Sequence, residues 1–148
     1  MSQMGYAQMK VLFGAAKQME SEYRHWPTYK APKKGDVQSG ENLSNVFVMN
    51  MLMAVDGEGN IGHNNNLSQI NFVDLVSQGE KILVFNQSGE VVDPWGTSYQ
   101  FVFDADYNNI CTISSIAQGS VFGTGVAIWS YGPDKMSDTK DDLRSWVR

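Results

Sequence analysis

Asp104, Asp106 and Asn108 in "DADYNN" stand at alternate positions, the spacing with which a calcium loop turns successive oxygens onto one hard cation. The pattern then departs from such a loop. Asn109 occupies the place of its glycine, and Ser115 the place of its bidentate glutamate. A tight turn between two strands, held by Asx hydrogen bonds, accounts for the same residues. A second acidic stretch, "YGPDKMSDTKDDLRSW", carries Asp134, Asp138, Asp141 and Asp142. It reads equally as a Gly-Pro-Asp turn leading into a capped helical turn with acids at its positive end, or as an irregular loop whose carboxylates converge on Ca²⁺.

Other chemistry finds less to work with. The two histidines, His25 beside Trp26 and His63 in an Asn-rich stretch, lack the spacing of a zinc motif. Cys111 is the single cysteine, with no histidine near it in sequence, and it fits a buried thiol better than a nucleophile. No serine lies in G-x-S-x-G. The glycines 57, 59 and 62 lack the strand, helix and spacing of a phosphate loop. We therefore expect no catalytic residue and no enzyme activity.

The elements that must position these residues fall into two halves. From Ala7 to Tyr23, Val11, Leu12, Ala15, Ala16, Met19 and Tyr23 recur at helical steps with Lys10, Lys17, Gln18, Glu20 and Glu22 between them. That is an amphipathic helix, closed by Pro27. It starts almost at the first residue without an evident cap, as the lower part of a longer helix would. "NLSNVFVMNMLMAV" predicts a short second helix capped by Asn42 or Ser44, and "DGEGNIGHNNNLSQ" a polar loop. Thereafter "KILVFN", "SYQFVFD", "NICTISSI" and "GVAIWSYG" read as a meander of antiparallel strands. Helix first and strands after predict an α+β domain with the helix lying across a small sheet.

A chain of 148 residues, 42% hydrophobic and 18% charged, is one domain able to bury its own core. Its net charge of −5 argues against nucleic acid as a partner. The longest apolar run, Val46 to Val55, has about half of the ~20 residues needed to span a bilayer, and Asn50 interrupts it. Trp95, Tyr99 and Trp129 could form a stacking platform for a sugar in a carbohydrate-binding module, though core and corner packing explains them better.

Two segments together carry a more specific signal. "DPWGTSYQFVFD" followed by "AIWSYGPDKMSDTKDDLRSW" resembles the C-terminal half of the major pseudopilin of type II secretion systems, whose pattern is D-P-W-G-x-x-Y, a strand into S-x-G-x-D, then D-[IL]-x-x-W. Asp93, Pro94, Trp95, Gly96 and Tyr99 meet its first part, Ser130, Gly132 and Asp134 its second, and Asp142, Leu143 and Trp146 its close. The resemblance implies a pilin-like fold across 1–148: residues 1–26 the lower part of the N-terminal helix, 27–80 a connecting region with a short helix, 81–148 an antiparallel sheet of three to four strands and a C-terminal loop. It also implies a structural role. Subunits self-assemble, with other pseudopilins and the inner-membrane proteins of the secretion system, into a periplasmic filament for protein export. The membrane is met only through an apolar helical segment that precedes these residues, which anchors the domain to the inner membrane. Minor pilins and type IV pilus subunits are the neighbouring alternatives. The resemblance further implies a structural Ca²⁺ before the closing tryptophan, with Asp134 and Asp142 at ligand positions, the Tyr131 carbonyl beside them and Asp138 as an addition.

Overall fold

The computed structural model describes residues 3–23, 37–38, 45–58, 60–63, 66–103, 110–112, 120–122, 126–130 and 143–144. The first helix, α1 (Gln3–Tyr23), has the face its periodicity predicts. Met9, Leu12, Ala15, Ala16 and Met19 are buried, while Lys10, Lys17, Gln18 and Glu22 stay in solvent. Each large side chain on that stripe contributes about 1.5–3 kcal/mol of burial, so packing, rather than propensity, holds the helix in place. Among the described residues no helix is long and apolar enough to cross a membrane.

Two shorter helices follow, α2 (Asn45–Leu52) and α3 (Phe72–Ser77). Helix α2 presents Val48, Met49, Met51 and Leu52 to the core, leaving Val46 half-buried. Helix α3 has a cap that is visible in the sequence: the Asn71 side chain accepts from the Asp74 N–H at 3.1 Å. It ends at Gln78, whose left-handed backbone (φ 56°) turns the chain away. Helix α3 packs along α1, and Gly14 is where they touch. A Cβ at Gly14 would lie 2.9 Å from Val76 Cγ1. Alanine there gains about 1 kcal/mol of helix propensity but must push a stiff β-branched side chain aside at about 1–3 kcal/mol. Gly14→Ala is therefore expected to lower the unfolding midpoint in urea slightly and Gly14→Leu severely; a stabilised Gly14→Leu protein would show that the two helices do not meet there.

The strands are β1 (Val37–Gln38), β2 (Val84–Phe85), β3 (Val91–Val92), β4 (Gln100–Phe103), β5 (Ile110–Thr112), β6 (Ser120–Phe122), β7 (Val126–Ser130) and β8 (Leu143–Arg144). They make a four-stranded antiparallel sheet in the order β1-β4-β7-β8, and two separate hairpins, β2-β3 and β5-β6. The α+β class is as expected, but the simple meander is corrected. Among the described residues strand β4 pairs with β7 rather than with its successor β5, while the expected turn at Asp104 to Asn109 lies outside the described residues. "KILVFN" contributes only β2, which lies outside the main sheet with both residues exposed. The β4–β7 register explains the choice. It sets Phe101 opposite Ile128 and Phe103 opposite Val126 on the face that joins the α1 core. It also sets Val102 opposite Ala127 on the other face, and both are fully buried. Two strands buried on both faces belong at the centre of a sheet.

Candidate functional site

The Asp93–Tyr99 segment is the one part of the resemblance motif that can be followed atom by atom. Asp93 is 2% exposed, and its Oδ1 accepts from the N–H groups of Trp95 (3.0 Å) and Thr97 (2.9 Å). Its backbone closes the same corner, with Asp93 N–H donating to the Thr97 carbonyl (2.8 Å) and Gly96 N–H to that of Asp93 (3.0 Å). Gly96 has φ +88°, which a glycine adopts without cost. Pro94 is exposed, and Trp95 is half-buried against the core. Asp-Pro-Trp-Gly is thus an Asx-turn whose carboxylate serves the backbone.

Tyr99, one strand-step beyond, is fully buried. Its hydroxyl donates to Gln8 Oε1 at 2.7 Å, lies 3.2 Å from the Gly5 carbonyl oxygen, and so ties the corner to α1. The Gln8 amide in turn donates to the Ile82 carbonyl at 2.8 Å. A second buried amide completes the arrangement. Asn45, at the head of α2, accepts from Val91 N–H (2.8 Å) and donates to the carbonyls of Tyr99 (2.8 Å) and Val91 (3.3 Å). Corner, hairpin, α1 and α2 are joined by buried side chains that reach backbone groups of other elements.

Burial, and then the nearby Asp93 charge, hold the Tyr99 phenol far above its ordinary pKa. Because the folded pKa is raised, the neutral phenol's contribution is fully present below the unfolded value of about 10 and is lost as pH rises past it. Stability is therefore expected to fall in alkali in a way that Tyr99→Phe abolishes, at a cost of about 1 kcal/mol at neutral pH for the lost hydrogen bond. Urea midpoints at neutral and alkaline pH test this, and parallel slopes for the two proteins would refute it.

A second polar knot sits where α1 ends. Asn66 is fully buried, donating to the Met51 and Ile70 carbonyls (both 2.8 Å) and accepting from Tyr23 Oη (2.5 Å) and Ile70 N–H (3.1 Å). Asn60, equally buried, donates to the carbonyls of Asn50 and Val55. The "polar loop" is thus wound round two internal amides.

Of the expected calcium ligands, Tyr131, Asp134, Asp138 and Asp142 lie outside the described residues, as do Asp104 to Asn109, His25 and Trp146. Among the described residues no three His, Cys, Asp or Glu side chains converge as a metal site would require. Of the three aromatics considered as a sugar platform, Tyr99 and Trp129 are fully buried, and Trp95 alone keeps part of its ring exposed. The residues that spacing did not single out are Gln8, Asn45, Asn60 and Asn66. Gln8 had a signal, since it falls on the apolar stripe between Gly5, Met9 and Leu12. Compared with protein-family models, curated proteins and solved structures, the chain matches none.

Proposed function

We propose that this chain is the soluble domain of a pseudopilin with a pilin-like fold, a structural subunit that self-assembles with other pseudopilins into a periplasmic filament serving type II protein secretion. What carries the reading is the union of a 21-residue N-terminal helix with the Asp93–Tyr99 corner. That motif turns its acid and its phenol inward, to the backbone and to Gln8, so it serves as a joint between helix and sheet. A subunit that transmits load along a filament needs a joint of this kind, and an enzyme would keep such groups for substrate. The deciding observation is the coding sequence upstream of Met1. A short leader followed by ~20 apolar residues supports an inner-membrane-anchored subunit, and a plain start at Met1 removes the reading.

The same reading places a structural Ca²⁺ in the loop before Trp146, held by Asp134, Asp142 and the Tyr131 carbonyl, with Asp138 in support. Carboxylates are the donor set a hard cation takes, whereas Lys135 and Lys140 oppose it. Calcium at a hundred times its Kd is expected to stabilise the fold by about 2.7 kcal/mol. Melting in chelator and after adding back Ca²⁺ measures this, and coincident curves would remove the ion from the proposal.

A further inference from the structure

Three triplets in the chain have the form Asn-x-Ser: Asn42-Leu43-Ser44, Asn66-Leu67-Ser68 and Asn86-Gln87-Ser88. In this form an asparagine amide can be joined to a glycan, provided that it stands on the surface. The first triplet lies outside the described residues. The other two are alike in sequence and opposite in structure. Asn66 is fully buried, and both hydrogens of its amide are spent on the Met51 and Ile70 carbonyls. Nothing the size of a sugar reaches that nitrogen while the chain is folded.

Asn86 stands at the tip of the β2-β3 hairpin. The pairing of Val84 with Val92 and Phe85 with Val91 carries on to Asn86, whose N–H donates to the Glu90 carbonyl at 3.0 Å. Its Oδ1 accepts from the N–H groups of Ser88 (2.9 Å) and Glu90 (3.0 Å). The first of these bonds makes an Asx-turn. It folds the triplet back and holds residue 88 beside residue 86, so that one enzyme surface can grip the amide and the hydroxyl together. Residues 84 to 89 are all exposed. The Asn86 amide donates once, to Glu90 Oε1 at 3.1 Å. Its second hydrogen and the Ser88 hydroxyl meet no acceptor among the described residues.

We propose that Asn86 is an acceptor for an N-linked glycan, transferred to the folded chain from a lipid-pyrophosphate donor by an oligosaccharyltransferase that reads Asn-x-Ser, and that Asn66 is not. Asn86 Nδ2 bonds to C1 of the first sugar, and the bond from that carbon to the pyrophosphate oxygen breaks. The lipid pyrophosphate leaves with the bonding pair, and the amide proton passes to a base of the transferase. The product suits its place. By the two-residue period of a strand, Val84 shares a face with Asn86, and it is 54% exposed. A bulky hydrophilic group there covers part of an apolar strand that would otherwise invite another chain to pair with it. The inference rests on the reading that the domain lies outside the cytoplasm, but its test needs neither leader nor membrane, so the two can fail separately.

The purified, folded chain is incubated with a single-subunit oligosaccharyltransferase that reads the plain triplet and with a lipid-pyrophosphate-linked oligosaccharide. Peptides of residues 62–70 and 82–92 are treated alongside, and mass spectrometry maps the sites. Both peptides are expected to be modified, whereas the folded chain is modified at Asn86 and not at Asn66. Asn86→Gln and Ser88→Ala are expected to lose the modification at that site, and Ser88→Thr to keep it. Ser88→Ala leaves the backbone N–H that Asn86 accepts, so its urea midpoint should match the wild type, which separates loss of the acceptor from loss of the fold. No transfer to Asn86 in the folded chain, transfer at Asn66 equal to that at Asn86, or undiminished transfer in Ser88→Ala overturns the proposal. A 62–70 peptide refused as firmly as the folded Asn66 overturns the part assigned to burial.

Discussion

Asn45→Ala is expected to be among the most destabilising single changes in the described part of the molecule, at about 4 kcal/mol. Asn45 is 4% exposed, and its amide supplies the acceptor for Val91 N–H and the donor for the Tyr99 carbonyl. The Val91 carbonyl keeps the Tyr99 N–H when the side chain goes, so two buried backbone groups are orphaned rather than three. Each orphan costs about 1–3 kcal/mol, and at roughly 2–4 °C per kcal/mol for a domain of this size the melting temperature falls by about 8–16 °C. Asn45→Asp discriminates hydrogen bonding from packing. Its carboxylate keeps the acceptor for Val91 but sets a second oxygen against the Tyr99 carbonyl, and only the protonated form can donate there. The carboxyl pKa is thereby raised on folding, so its stabilising form is present at low pH and lost as pH rises. Asn45→Asp should recover towards wild type on acidification while Asn45→Ala does not. A pH-independent gap between the two variants would mean that Asn45 acts by shape alone.

Asn66→Ala is expected to cost a comparable amount, for a different reason. Its four hydrogen bonds join the ends of α1 and α2 to the turn before α3, through Tyr23, Met51 and Ile70. Alanine leaves the Met51 carbonyl and the Ile70 N–H and carbonyl without their partner, for a loss of about 3–5 kcal/mol. Tyr23→Phe removes one bond to Asn66 and the acceptor for Ser68 N–H, and is expected to cost about 1 kcal/mol. In the double variant the tyrosine's contribution should largely vanish, because Asn66 is the partner it needs. Additive losses in urea titrations would show that Tyr23 acts mainly through its edge contact with Phe72, at 6.1 Å between ring centroids.

What the sequence made legible follows from how local each cause is. The α1 stripe repeats over many turns, so its period alone names Leu12, Ala15, Ala16 and Met19 as core. The corner at Asp93 is equally local, because an Asx-turn closes within five residues. Strand pairing is not local: whether "SYQFVFD" joins "NICTISSI" or "GVAIWSYG" depends on which partner lets both faces be buried, and alternation within either segment is silent on that. Helix α3 could have been read from Asn71 and its bond to Asp74, but six residues are too few for periodicity to assert itself. The buried amides were the least visible. Asn60 and Asn66 sit in a run of asparagines that composition assigns to turns, and only the carbonyls of Asn50, Val55, Met51 and Ile70 distinguish a structural amide from a solvated one.

The pairing of β4 with β7 has a consequence for how the molecule comes into being. The core stripe of α1 lies near one end of the chain, and β7, against which it packs, lies near the other. A chain emerging from the ribosome, or threading through a membrane, can set α2 and α3 on that helix early, but cannot complete its cover until β7 is out. Closing so long a loop before the β7 contacts reward it makes this step slow relative to the pairing of neighbouring elements. Until β7 arrives, α1 has only α2 and α3 to pack against, and the part of its stripe that meets the sheet is available to whatever else is at hand.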